Sequence, residues 1–296
     1  MGPILQIVGC IILACVPVMI WGNVFIKKNP ESKELTALTF FVGALAVFPI
    51  LIYKFLWEFF PWMNAFKLAD IYKDDIIGLS NFIAVPLSVI IAFMFVGLIE
   101  EVMKMISVKV VDDEEIRTID DSIEFFIIAA LGFSFVENIL YFYNIWLTQG
   151  AYNLFLPFLF RSTFSTFAHL LFSGVLGYYY GIAHFAGPIL REEIRDNRSH
   201  WTKAFNKLLH IKSEKLFHEE IMLEGLLISI GLHAMFNIFL EMNLTFMIVP
   251  FLVLGYITLT YLLDKKDNHK NYKKLLNCFR NHPHPKSGIF FKKSDL

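Results

Sequence analysis

The chain has 296 residues, 56% of them hydrophobic and 18% charged, with a mean hydropathy of +0.56. A soluble domain carries about 25% charged residues, and the 32 Phe here exceed what one soluble core of this length can hide. The bilayer is therefore the main solvent, and a net charge of −1 gives no reason to expect a nucleic-acid partner.

Crossing about 30 Å of hydrocarbon takes roughly 20 helical residues. Seven stretches qualify, at 3–25, 36–56, 78–103, 122–147, 154–183, 221–240 and 244–263. Backbone polar groups find no water in lipid, and these runs lack period-two alternation, so helices are expected rather than a barrel. The first stretch has no basic leader and no small-residue cleavage site, and reads as a retained helix. The predicted fold is an all-α, polytopic transmembrane bundle of about seven spans. Residues 1–263 form one membrane domain, and 264–296 a basic cytoplasmic tail.

Basic residues set the orientation. With the N-terminus outside, and leaving out Lys104 as part of a helix, the cytoplasmic segments 26–35, 104–121, 184–220 and 264–296 hold three, two, seven and nine Lys/Arg. Only Lys54, Lys67 and Lys73 fall on the other side. N-out, C-in is expected. Trp57, Phe59, Phe60, Trp62 and Phe66 suit an outer loop lying along the interface. Trp201, Ala204, Phe205, Leu208 and Leu209, interleaved with Lys203 and Lys207, suit an amphipathic helix on the anionic inner leaflet. Cys10, Cys15 and Cys278 form neither a disulfide framework nor a paired Cys-x-x-Cys zinc site. His282 and His284 read as part of a solvated tail.

Ionisable groups within the spans cost about 2.5–3.5 kcal/mol each and mark a site. The third span carries Glu100, Glu101 and Lys104; Glu100 and Lys104 are four apart and share a face. The fourth carries Glu137 near its middle, the fifth Arg161 and His169, the sixth His233 and, one turn on, Asn237. Gly174 and Gly177 permit close packing of the fifth helix. In a shared, desolvated interior a Glu can take a proton from water, and an imidazole can stabilise an oxyanion or protonate a leaving amine. This is equipment for hydrolysing an amide at membrane depth, although proton transport uses the same residue types. With these spans Glu100 sits near the cytoplasmic end of its helix, whereas Glu137 and His233 lie at mid-membrane.

In order and local form these motifs resemble the PrsW family of intramembrane proteases, relatives of the CAAX prenyl proteases. The family pattern is Glu-Glu-x-x-Lys, then Phe-x-x-x-Glu, then His, then His-x-x-x-Asp on successive helices. Here Glu100, Glu101 and Lys104 are followed by Phe133 and Glu137, then His169, then His233 with Asn237. The match spans about residues 95–240. Glu137 favours PrsW over the CAAX proteases, where a His is usual at that position. Asn237 departs from the family Asp.

The resemblance implies an intramembrane endopeptidase of a bacterial inner or plasma membrane, acting on membrane-anchored proteins such as anti-sigma factors. Glu100 would activate water with help from Glu137, while His169 and His233 polarise the carbonyl or bind the oxyanion. Glu101 and Lys104 would orient the site, Asn237 would support His233, and Arg161 would neutralise the carboxylates. No cofactor is required on this reading. The rival is zinc or another divalent ion ligated from among Glu100, Glu137, His169 and His233, leaving a carboxylate as base. The competing functions are a proton- or ion-coupled transporter, and a non-catalytic scaffold or immunity protein. Oligomeric state is not legible.

Overall fold

The computed structural model describes residues 2–26, 33–64, 67, 69–80, 83–189, 214–265, 270 and 272. Long helices dominate: α1 (Pro3–Phe25), α2 (Lys33–Leu45), α3 (Phe48–Phe59), α4 (Leu87–Val111), α5 (Ile119–Gln149), the short α6 (Phe155–Phe160), α7 (Thr166–His184), α8 (Glu214–Glu241) and α9 (Thr245–Asp264). The amphipathic segment near 201–209, Phe66, and the His282 and His284 tail lie outside the described residues.

Among the described residues, six stretches are long and apolar enough to cross a membrane: Pro3–Phe25, Lys33–Phe59, Ile119–Gln149, Ala151–His184, Lys215–Glu241 and Thr245–Asp264. The second combines α2 and α3, and the fourth joins α6 to α7. The expected span at 78–103 differs most. Residues Ile76–Ser80 (β1) and Ile83–Pro86 (β2) pair as a short antiparallel hairpin, and the helix begins only at Leu87. Pro86, extended at φ −59° and ψ 136°, is the N-cap. Proline disfavours helix in the residue before it and cannot donate to the ladder, so it suits a strand end and a helix start. Starting late, α4 still runs for 25 residues, about 37 Å at 1.5 Å per residue. Glu100 consequently falls near its middle. Three of its four charged residues, Glu100, Glu101 and Lys104, interrupt the apolar run of α4, yet all three are buried.

The central helix is α5, whose apolar stretch is 61% buried, against 17–50% for the other five spans. Its start is fixed by a capping box. The Thr118 hydroxyl accepts from Asp121 N–H at 3.1 Å, and the Asp121 carboxylate accepts from Thr118 N–H at 3.0 Å. Around α5 pack α1, α2 and α7, while α8 packs on α4 and α7, and α9 on α7. The crossing of α2 over α5 depends on missing side chains. A Cβ on Gly132 would run into the Phe40 carbonyl and come within 2.8 Å of Ala44 N. Gly177 seats α7 on α5 in the same way, with Ser122 Oγ donating to its carbonyl at 2.7 Å. Small residues of this kind let helices approach where lipid offers no hydrophobic drive between them. The α5–α7 seam is filled by Ile123, Phe126, Ile127, Phe172 and Leu176. These fix the depth at which the polar residues of both helices meet.

Candidate active site

Glu101 is the hub where α4, α7 and α8 meet. Its Oε1 accepts from the Lys104 ammonium at 2.7 Å and from His233 Nδ1 at 2.9 Å. Its Oε2 is 3.2 Å from Ser173 Oγ and 3.2 Å from Ser229 Oγ, both donors. Glu101 and Lys104 are fully buried, so this charge survives only because four donors replace water. The lysine thus pairs with Glu101, three residues back along α4, rather than with Glu100, which shares its face four back. It also donates to His169 Nδ1 at 3.2 Å and stands 4.5 Å from the Phe133 ring centroid, a cation–π contact. Phe133 packs beside His169 as well, ring centroids 5.5 Å apart.

Glu137 gathers the second group. Its Oε2 accepts from Arg161 Nη2 at 2.5 Å and lies 3.0 Å from His169 Nε2. With Lys104 donating to Nδ1, the His169 proton sits on Nε2 and points at Glu137. Arg161 reaches this position because the chain widens into a π-helical turn at Arg161–Ser165, a form that recurs at functional sites. Its guanidinium also donates to Asn138 Oδ1 at 2.6 Å, while Asn138 Nδ2 donates to Thr166 Oγ1 at 3.2 Å and Thr166 Oγ1 to the Arg161 carbonyl at 2.9 Å. Trp21 of α1 donates its indole N–H to the Ser162 carbonyl at 2.8 Å and so braces the same turn. The Glu137 side chain is 32% exposed, against 8% for Glu100 and none for Glu101. It is the most exposed of the three carboxylates.

Glu100 differs from both. Its Oε2 is buried with no hydrogen-bond partner, and the nearest imidazole nitrogen, His233 Nε2, is 3.6 Å away, beyond a hydrogen bond. One donor atom each from Glu100, His169 and His233 lies within 4.8 Å of the other two, and all three residues are buried. Gly97 makes this meeting possible: a Cβ there would be 3.2 Å from the Ile230 carbonyl and 3.4 Å from His233 Cβ, so α4 and α8 nearly touch. An orphaned carboxylate oxygen facing two imidazoles is a donor set suited to a divalent cation.

The model of the PrsW family of intramembrane metalloproteases matches residues 31–263. The chain belongs to the PrsW family. No curated protein and no solved structure matches the chain. The match makes this PrsW chain an intramembrane protease and sets aside the transporter and scaffold readings. It covers every motif residue singled out in the sequence.

The structure brings together Glu100, Glu101, Lys104, Phe133, Glu137, Arg161, His169 and His233. Asn237 is half-buried on α8 and makes no hydrogen bond to His233 among the described residues. The His233 Nδ1 partner is Glu101 instead. Four residues of the network escaped the sequence reading: Asn138, Thr166, Ser173 and Ser229. Ser173 follows His169 by four and Ser229 precedes His233 by four, so helical spacing from each His would have found them.

Proposed function

We propose that this protease cleaves membrane-anchored proteins at a buried site, with a divalent cation, zinc by donor type, held by Glu100, His169 and His233. The observation that carries this reading is the division of three carboxylates among three environments. Glu101 is saturated by four donors and has no lone pair to spare for chemistry. Glu100 is buried and orphaned beside two imidazoles. Glu137 alone is partly exposed. The expectation that Glu100 activates water thus shifts to Glu137, with Glu100 in the ligand set.

Bound at these three residues, zinc supplies Lewis acidity towards the scissile carbonyl and acidifies water. Ligation by His169 exchanges one of its two present contacts, to Lys104 or to Glu137, for the ion. His233 already donates Nδ1–H to a carboxylate, leaving Nε2 unprotonated towards Glu100, the arrangement that orients metal-binding imidazoles. Glu137 takes the proton of the attacking water and returns it to the leaving amine. Arg161 pairs with that carboxylate and aims it, and it is held in turn by Asn138 and the π turn. The substrate class we propose is a single-span protein, such as an anti-sigma factor in a bacterial plasma membrane; family membership supports a membrane protein substrate.

The test is cleavage of a panel of single-span substrates by purified protein, with zinc content measured in parallel. Glu137→Gln is expected to keep its zinc and lose about 10²–10⁴-fold in kcat, the usual worth of a general base. Glu100→Gln is expected to lose both zinc and turnover. Cleavage that withstands complete chelation, with Glu100→Gln inactive, would return Glu100 to the role of base and remove the cation.

A further inference from the structure

Glu101 is held from both sides by a serine on each neighbouring helix. Ser173 lies four residues after His169 on α7, and Ser229 four residues before His233 on α8, so each serine shares a face with one of the two histidines. Both serines are fully buried and both hydroxyls stand 3.2 Å from the same oxygen, Glu101 Oε2. The other oxygen, Oε1, receives His233 Nδ1 and Lys104.

A carboxylate free to turn about its terminal bond would swing its plane and point neither oxygen steadily at His233. Two hydroxyls on Oε2 remove that freedom and leave Oε1 directed at His233. That contact keeps the proton on Nδ1 and leaves Nε2 as the ligand atom. Ser229 also donates to the Phe172 carbonyl at 2.9 Å, so its single proton is divided between two acceptors. Ser173 shows Glu101 Oε2 as its acceptor and is the more committed of the two.

We infer that Ser173 and Ser229 are positioning residues for the metal site, acting through Glu101 to fix the ring orientation and tautomer of His233. This rests on the metal reading proposed above. Loss of an outer partner of a metal-bound His typically costs 10–100-fold in metal affinity. Ser173→Ala is expected to weaken zinc binding about tenfold, Ser229→Ala less, and the double variant by more than either.

The experiment titrates zinc into full-length, detergent-purified protein against a fluorescent chelator, with the melting temperature of the zinc-free protein measured alongside. The expected result is a weaker zinc Kd in Ser173→Ala, recovered in Ser173→Thr, which restores the hydroxyl, with little change in zinc-free melting. Equal Kd values for wild type and the double alanine variant overturn the inference. So does a lowered zinc-free melting temperature with unchanged Kd, which would make the serines packing residues. Wild type that binds no zinc removes the metal reading and this inference with it, an outcome distinct from a wild type that binds zinc as tightly as its variants do.

Discussion

At the scale of single residues, burial separates groups that hydropathy alone treats alike. Asp112, just past the end of α4, is fully buried, and Thr39 Oγ1 of α2 donates to its Oδ1 at 2.7 Å. Burial pushes its carboxyl up to about 7, against the partial relief of the Thr39 bond. A carboxyl whose folded pKa lies above its unfolded value binds its proton more tightly when folded. Stability from this residue is therefore full below about pH 4 and lost as pH rises through 7. Each pH unit in that window is worth about 1.4 kcal/mol at most. Asp112→Asn, which cannot ionise, is expected to flatten the fall in melting temperature between about pH 4 and 7. An unchanged profile would show that Asp112 is ionised in the folded protein. Nothing in the sequence distinguished Asp112 from its neighbours Asp113, Glu114 and Glu115, because the partner that buries it lies 73 residues away on α2. The motif carboxylates were easier to see, since an apolar run has no other use for them. Their roles were not: spacing nominated Glu100 for Lys104, but three long-range donors decided for Glu101.

At the scale of elements, helices were legible wherever the apolar run was uninterrupted, and α1, α5 and α9 lie close to the expected positions. The start of α4 was misplaced because mean hydropathy does not register strand signals. Gly78 and Pro86 interrupt the run at 78–103, and both mark strands or helix starts rather than helix interiors. The π turn at Arg161–Ser165 left no mark in the sequence, and the partners that brace it, Glu137, Asn138 and Trp21, are all distant along the chain. Helix crossings depend on the small residues named above. Gly132→Ala is expected to lower stability by about 1–3 kcal/mol through overpacking against Phe40 and Ala44 of α2. Gly231→Ala is the control. Its Cβ meets nothing within 4 Å, and alanine gains up to about 1 kcal/mol of helix propensity over glycine. Thermal unfolding in one detergent should therefore move in opposite directions for the two variants. Matched losses would mean that α2 does not cross α5 at Gly132.

At the scale of the whole molecule, the open question is whether α4 crosses the bilayer, because that decides how the active site meets its substrate. Three charges interrupt the apolar run of α4, yet Glu101 and Lys104 are turned into the bundle, onto His233, Ser173, Ser229 and His169, and Glu100 is buried beside them. With its motif charges turned inward, α4 exposes Ile91, Met94, Leu98, Ile106 and Val110 along its length, and its one exposed charge, Lys109, falls in the last turn. At about 37 Å it is long enough, and the site then lies near the bilayer middle on α4 and α5 alike. We propose seven crossings with the N-terminus outside, as the distribution of basic residues favours. Exposed positions on either side of α4 test this: Ile71 before the hairpin, Glu114 before α5, and Tyr152 after it. In a background with Cys10, Cys15 and Cys278 replaced, an impermeant thiol reagent added to intact cells should label Ile71→Cys and Tyr152→Cys but not Glu114→Cys. In inverted vesicles the pattern should reverse. If Ile71→Cys and Glu114→Cys label from the same side, α4 re-enters rather than crosses, and Glu100 and Glu101 reach the site from one face of the membrane. The basic-residue asymmetry would then have to be reassigned around six spans.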